Sequence, residues 1–199
     1  MRLRFVALAV LAVPALALAD PPAQAPAPSA QEKVVARARE EVAHHVSYDA
    51  RWFKIDYPNG DVDPGLGVCT DVVIRGYRAA GVDFQKLVHE DVLRAPDAYV
   101  PWVKNVDSNI DHRRVGPLMV YLNRHAKKLS ITDAASYQAG DIVVISFTGC
   151  PACSPQHIGV VSDKVGPRGV RLMIHNLGPV PQEDDSLEAW TRLGHYRVL

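Results

Sequence analysis

The hydrophobic pattern of this chain changes its period once, and that change limits the possible folds more than any other feature. In the first two thirds, apolar residues recur at helical spacing, as in Gln31 to Val46. From Gly140 onward, β-branched runs such as Ile142 to Ile145 alternate with turn residues, which is typical of strands. Helical segments that come first and strands that follow predict an α+β fold, with N-terminal helices packed on an antiparallel sheet.

The same patterns predict the individual elements. The predicted helices are 31–46, 69–81, 84–94, 115–127 and 186–192. The predicted strands are 142–145, 157–163, 170–175 and 194–198. A turn at Gly166-Pro167 makes the second and third of these strands neighbours in an antiparallel pair. Residues 47–68 form a long loop with interleaved aromatic residues, and loops of that length inside a domain are usually functional.

The N-terminal residues have the pattern of an export signal. Residues 1–19 combine two arginines, an apolar run and an Ala-Leu-Ala cleavage site that ends at Ala19. Residues 20–30 are rich in Pro and Ala and are predicted to be a disordered lead-in. Residues 31–199 have the length of a single domain. We therefore expect a periplasmic or secreted protein, and no later segment is long enough to span a membrane.

The overall composition favours no particular partner. The chain has 22 basic and 22 acidic residues, so no global field favours nucleic acid or an anionic membrane surface. It contains no phosphate-binding glycine loop, no dinucleotide fingerprint and no metal-ligand spacing outside its cysteine pair. We expect no cofactor and no metal, and we expect a monomer whose partner is its substrate.

Cys69 is the candidate nucleophile. It lies where a glycine-bearing loop, residues 65–68, runs into the predicted helix 69–81. Unpaired backbone N–H groups and the positive end of the helix dipole favour a thiolate there. The apolar stripe of the helix begins at this residue, so the sulfur is expected to face inward. The alternative is a buried cysteine that acts only as a small hydrophobic residue.

Two histidines are the candidate partners of that thiol. His157 opens one predicted strand and His175 closes the next. In an antiparallel pair the start of one strand lies beside the end of the other, so the two imidazoles are expected to meet. His157 would then act as the general base and His175 would orient it. Asn176 points to the opposite face of its strand and is kept as a fallback orienter.

The other cysteines, Cys150 and Cys153, form a Cys-Pro-Ala-Cys motif. In an exported protein the simplest interpretation is a disulfide that closes a short loop. A thioredoxin-like dithiol is a poorer match, because a strand rather than a helix follows the motif. A zinc site with His157 is a further alternative, although no fourth ligand is evident. The disulfide leaves Cys69 as the unpaired thiol.

Several blocks of sequence together resemble the DUF1287 family of exported bacterial proteins. That family is similar in organisation to the NlpC/P60 branch of papain-like cysteine peptidases. The resemblance covers almost the whole chain after the export signal. The blocks are 56–61 (DYPNGD), 67–75 (GVCTDVVIR), 109–114 (NIDHRR), 140–143 (GDIV), 157–162 (HIGVVS) and 174–176 (IHN).

The resemblance implies a papain-like fold of the NlpC/P60 type. It also implies a triad in which Cys69 is the nucleophile, His157 the base and His175 the third residue. The related peptidases cut amide bonds in bacterial cell-wall peptides. Their usual Asp-Cys-Ser-Gly sequence is replaced here by Val68-Cys69-Thr70-Asp71, so the resemblance leaves the substrate preference open.

Four further residues are expected near the substrate or the nucleophile. The resemblance implies that Tyr57 assists the oxyanion, and the alternative is an aromatic residue that fills the long loop. Arg113 is a candidate for binding a substrate carboxylate. Arg114 is a second candidate, with an ion pair to Asp111 as its alternative. Asp71, in the first turn of its helix, is expected to stabilise the helix end.

The leading hypothesis is an exported cysteine amidase or peptidase that acts on peptidoglycan peptides. One alternative is an acyltransferase that uses the same triad with an amine or alcohol in place of water. The other alternative is a cell-wall-binding module that has kept the fold and lost turnover.

Overall fold

Residues 26–199 are the part of the chain that this computed structural model describes, and they contain four α-helices and eight strands. The helices are α1 (Ala30–Ala43), α2 (Cys69–Ala79), α3 (Phe84–Arg94) and α4 (Val115–His125). The strands are β1 (Ser47–Tyr48), β2 (Leu66–Gly67), β3 (Lys127–Lys128), β4 (Ile142–Ser146), β5 (His157–Val165), β6 (Arg171–His175), β7 (Gln182–Asp184) and β8 (Thr191–Arg197). The predicted signal peptide, residues 1–19, lies outside the described residues.

Strands β3 to β8 form an antiparallel sheet in the order β3-β8-β4-β5-β6-β7. The predicted α+β class is therefore confirmed, and so is the antiparallel pairing of β5 with β6. In that pair Val160 lies opposite Ile174 and Val161 lies opposite Met173. Every residue of β4 is buried, which is expected for a strand that is covered on both faces.

The helices α1 and α2 cover one face of this sheet. Val34 of α1 and Val72 of α2 share a buried cluster with Val144 of β4 and Val160 of β5. The absence of a side chain at Gly76 lets the two helices approach closely. A Cβ atom at this position would lie only 3.1 Å from the carbonyl oxygen of Val34. The opposite face carries a smaller cluster, whose buried members are Tyr137, Val143, Ile145, Val161, Met173 and Leu187.

One predicted element is wrong. Residues 186–192 are not a helix, because residues 185–190 form a turn and Thr191 begins β8. Thr191 and Arg192 pair with the end of β4, which would otherwise have unpaired backbone groups. Leu187 is completely buried on the second face of the sheet. Sheet pairing and burial therefore override the helical spacing of this segment.

No helix among residues 26–199 is both long enough and apolar enough to cross a membrane.

Candidate active site

Cys69 is the first residue of α2, and the loop before it is held at the end of β6. The side chain of Asn176, which directly follows β6, donates to the carbonyl oxygen of Gly67 at 3.4 Å. The carboxylate of Asp71 accepts from the backbone N–H of Val68 at 2.7 Å, which caps the start of the helix. The loop before Cys69 is therefore held by Asn176 on one side and by Asp71 on the other.

The Cys69 sulfur is buried, and its surroundings favour the neutral thiol. Burial raises the pKa of Cys69 to about 12, and the nearby Asp71 carboxylate acts in the same direction. The nearby backbone groups of Ile158, Thr70 and Cys69 itself oppose this rise in pKa. The expectation of a helix-end thiolate is thus corrected, because loss of solvent outweighs the effect of the helix N-terminus.

This raised pKa predicts the pH dependence of alkylation. The thiolate fraction of Cys69 should rise with pH up to about 12, so the rate with iodoacetamide should keep increasing above pH 9. Near pH 7 the rate should lie below that of a free-cysteine peptide. Mass spectrometry of the Cys69 peptide at several pH values measures this alkylation rate. A rate that levels off below pH 7 would contradict the neutral thiol.

Three side chains form a hydrogen-bonded chain that starts at the first residue of β5. Nε2 of His157 lies 2.8 Å from Nδ1 of His175. Nε2 of His175 lies 3.1 Å from Oδ1 of Asp184, and Ser186 Oγ also donates to that oxygen. Both imidazoles are buried. The two histidines therefore meet as the antiparallel pairing predicts, and Asp184 extends the pair to a carboxylate.

The chain assigns a tautomer to each ring. A carboxylate only accepts hydrogen bonds, so Asp184 places the proton of His175 on Nε2. Nδ1 of His175 is then an acceptor and receives the Nε2 proton of His157. The lone pair of His157 is left on Nδ1, which has no hydrogen-bond partner in residues 26–199. This nitrogen is available to accept a proton.

His157 is neutral for the same physical reason as the thiol. Burial lowers the pKa of His157 to about 3, and the neighbouring His175 contributes in the same direction. Aromatic rings exclude water from this side, since the ring centroid of Phe147 lies 5.6 Å from that of His157 and that of Trp190 lies at 6.3 Å. At neutral pH the site holds a thiol and a neutral imidazole rather than an ion pair.

The sulfur meets β5 directly next to His157. Ile158, which packs in the same buried cluster as Cys69, follows His157, and Gln156, which precedes His157, lines the same cavity as Cys69. Within residues 26–199, no hydrogen bond joins Sγ to either imidazole. Such bonds are often long until substrate binds. Gln156 and Ile158 thus lie on the Cys69 side of β5, whereas the intervening His157 ring lies on the other face of that strand with Phe147 and Trp190.

Cys69 opens into a cavity of about 360 Å³, here called the Cys69 cavity. Its wall includes Tyr48 from β1 and Gln156 from the loop before β5. The side-chain oxygen of Gln156 accepts from the backbone N–H of Phe147 at 2.9 Å and from Ser146 Oγ at 3.1 Å. These two bonds fix the orientation of the amide and leave its NH₂ group without a partner among the described residues.

Comparison with known proteins places this chain in a family. Residues 35–198 match DUF1287, a domain of unknown function. This chain belongs to the DUF1287 family. It is 45% identical to the uncharacterized protein YijF of Escherichia coli K12 over 165 residues, which are 81% of this chain and 78% of YijF.

The fold also resembles solved structures. Two crystal structures of an N-acetylmuramoyl-L-alanine amidase from Bacteroides uniformis superpose with TM-scores of 0.51 and 0.50. Their sequences are 13% and 12% identical to this DUF1287 chain, and each match covers 84% of this chain and 98% of the amidase chain. At such low identity the likeness concerns the fold alone.

The tyrosine in the Cys69 cavity of this DUF1287 protein is Tyr48, and the structure places Tyr57 elsewhere. The Tyr57 ring packs edge-on against His89 of α3 at 5.1 Å and is substantially exposed. Burial raises the pKa of Tyr48, and the charge of Asp71 acts in the same direction. Strand β1 therefore brings Tyr48 to the wall of the Cys69 cavity, and the loop after β1 carries Tyr57 away from it.

Arg113 is not free to bind a substrate carboxylate. Its Nε and Nη2 atoms donate to the two carboxylate oxygens of Asp71 at 2.9 and 2.8 Å, and both side chains are almost fully buried. Its other hydrogen bonds are to backbone carbonyl oxygens, and the guanidinium lies over the Phe53 ring at 5.7 Å. Arg113 therefore fixes the first turn of α2. Asn176 likewise holds the loop before α2 and contacts neither imidazole.

The predicted disulfide between Cys150 and Cys153 is confirmed, and it closes the loop between β4 and β5. Cys69 is the free cysteine of the described chain. The zinc alternative is not supported, because no group of three His, Cys, Asp or Glu side chains in residues 26–199 is arranged to hold a metal ion.

Sequence reasoning missed Asp184, Tyr48 and Gln156. A signal for Asp184 was present, since the turn at 178–181 returns the chain antiparallel to the end of β6. A carboxylate on such a return strand lies within reach of His175. The positions of Tyr48 and Gln156 depend on loop conformation, which hydrophobic periodicity does not encode.

Proposed function

We propose that this DUF1287 protein is an exported cysteine hydrolase that cleaves amide bonds in peptidoglycan peptides, with a papain-like fold of the NlpC/P60 type. The proposed hydrolase domain spans residues 31–199, after a signal peptide that directs the protein to the periplasm or the exterior. One observation carries the proposal: a buried imidazole pair, anchored by Asp184, begins at His157, and the next residue, Ile158, packs with the unpaired thiol of Cys69 in one buried cluster.

In the first step the His157 ring must reach Cys69, so that its Nδ1 takes the thiol proton as Sγ of Cys69 attacks the amide carbonyl carbon. The positive charge that forms on His157 is stabilised through His175 and the Asp184 carboxylate. Because thiol and imidazole are both neutral at rest, proton transfer accompanies attack.

In the second step, the tetrahedral intermediate collapses and the C–N bond breaks. His157 returns its proton to the leaving amine, which departs and leaves a thioester on Cys69. Water then loses a proton to His157 and attacks the thioester, which releases the carboxylic acid and restores the thiol. An amine or alcohol in place of water would make the same site an acyltransferase.

The oxyanion of this intermediate requires hydrogen-bond donors near the sulfur. The backbone N–H of Cys69 is one donor, because it lies at the start of α2. The Tyr48 hydroxyl and the unpartnered NH₂ group of Gln156 border the same cavity. In this proposal these side chains replace Tyr57, to which the family resemblance assigns the oxyanion role.

Two observations support the choice of substrate class. The fold is similar to that of a protein described as an N-acetylmuramoyl-L-alanine amidase, whose substrate bond is an amide in peptidoglycan. The Cys69 cavity has an open, partly aromatic wall that suits a peptide rather than a small metabolite.

Digestion of purified peptidoglycan tests the proposal. The intact protein should release fragments whose mass is increased by one water at a specific amide bond. Cys69→Ala should reduce their formation at least about 10³-fold, since the nucleophile is gone.

Circular dichroism and thermal melting of Cys69→Ala provide the control for folding. Adding a free amine separates hydrolysis from acyl transfer, because only the transferase would form the new amide. Equal release of fragments by wild type and Cys69→Ala would contradict a cysteine hydrolase, and release by neither would favour a silent binding module.

A further inference from the structure

A second cavity continues the Cys69 cavity along the surface. It has a volume of about 420 Å³ and is called here the Lys104 cavity. Trp52, Ile110 and Arg114 border both cavities. The two cavities therefore form one groove, and a molecule whose scissile bond lies at Cys69 extends naturally into the second cavity.

The Lys104 cavity has two cations with unused hydrogen-bond donors. Arg114 is exposed, and its guanidinium makes no ion pair or hydrogen bond with the residues that the structure describes. The ammonium group of Lys104 is likewise unpaired in residues 26–199. Arg114 therefore differs from its neighbour Arg113, whose guanidinium is committed to Asp71.

The one carboxylate that borders this cavity is already occupied. Oδ2 of Asp107 accepts from Nε1 of Trp52 at 2.8 Å. Oδ1 of Asp107 accepts from the backbone and side-chain N–H groups of Asn109 at 2.9 and 2.7 Å. Asp107 thus orients the Trp52 indole and leaves the donors of Arg114 and Lys104 to a ligand.

The aromatic walls of the cavity are preformed. The Trp52 indole is fixed by Asp107. The Trp102 indole packs directly on the backbone of α4 at Gly116. A Cβ atom at this position would lie only 2.4 Å from the ring. A preformed cavity with apolar walls and a few placed polar groups is typical of a ligand site.

We infer that the Lys104 cavity binds a carboxylate group of the substrate, held by Arg114 and assisted by Lys104. The inference rests on the proposed function and narrows its substrate class to amides flanked by a carboxylate-bearing residue. A guanidinium binds a carboxylate through two parallel hydrogen bonds, which an ammonium group does not reproduce. The indoles of Trp52 and Trp102 pack against the rest of that residue.

The affinity of the Cys69→Ala protein for small carboxylate probes tests this inference, because this variant binds substrate without cleaving it. The probes are N-acetyl-L-alanyl-D-glutamic acid and the corresponding diamide, measured by calorimetry. The acid should bind at least about 10-fold more tightly than the diamide, and Arg114→Ala should remove that difference. Arg114→Lys should restore it only in part, and added salt should weaken it.

Arg168→Ala provides the matched control, because it removes an equally charged exposed arginine that pairs with Asp185 and borders neither cavity. Equal affinity for acid and diamide, no measurable binding of the acid, or an unchanged preference in Arg114→Ala would each overturn the inference. These results leave the peptidoglycan digestion as a separate test. Conversely, Arg114-dependent binding without any turnover would retain the carboxylate site and refute the hydrolase.

Discussion

Asp184→Asn is expected to lower kcat by about 10²- to 10⁴-fold, although Asp184 itself does not touch the substrate. Asn presents an NH₂ donor as well as a carbonyl oxygen. If that donor faces Nε2 of His175, the ring proton moves to Nδ1 and points at His157. Nε2 of His157 then accepts the proton of His175, so the proton of the His157 ring lies on Nδ1. In this tautomer Nδ1 does not accept a proton from Cys69. The loss of a carboxylate also removes the charge that stabilises the imidazolium.

Steady-state kinetics and a pH profile of kcat measure this effect. Asp185→Asn is the matched control, because the adjacent carboxylate pairs with Arg168 and not with a histidine. Asp184→Asn should depress kcat far more than the control and should shift the acidic limb of the profile, which a purely structural role would leave in place. Similar kcat values for the two variants would show that the histidine pair does not depend on Asp184.

The largest expected effect on stability is that of Arg113→Met. The change leaves the Asp71 carboxylate charged and without its cation in a site where its side chain is 3% exposed. Breaking a buried ion pair by removing one partner typically costs about 3–5 kcal/mol of unfolding free energy. Because Asp71 also caps α2 at Val68, the nucleophile loop should loosen in the same variant.

Urea denaturation of Arg113→Met gives this free energy directly. Lys86→Ala is the control, since it breaks an exposed pair with Glu90 and should cost less than about 1 kcal/mol. The double variant Asp71→Asn with Arg113→Met should recover part of the loss, because no uncompensated charge remains. A loss below about 1 kcal/mol for Arg113→Met would contradict the assigned role of this pair.

Local sequence patterns were sufficient to predict the helices and strands whose buried residues recur at a regular spacing. The helix 84–94 was predicted with the bounds that α3 has, and the strands that carry His157 and His175 were predicted within a few residues. The meeting of the two imidazoles followed from strand order alone. Such features depend on neighbours in the chain and on one simple pairing rule.

Features that depend on distant contacts were missed. Residues 186–192 have helical spacing, yet β4 draws Thr191 into the sheet. Arg113 and Arg114 are adjacent in sequence, but only Arg113 is buried against Asp71. The pKa of Cys69 depends on how completely the fold excludes water from the sulfur. A single sequence shows the residue types in each case, whereas the environment of each residue arises from packing.

The most direct test of the central claim is the intact mass of the protein, quenched in acid during reaction with peptidoglycan peptides. A covalent acyl group should appear on wild-type protein, map to the Cys69 peptide, and be absent from Cys69→Ala. Substrate cleavage that proceeds without any adduct, together with full activity of Cys69→Ala, would contradict catalysis by this thiol.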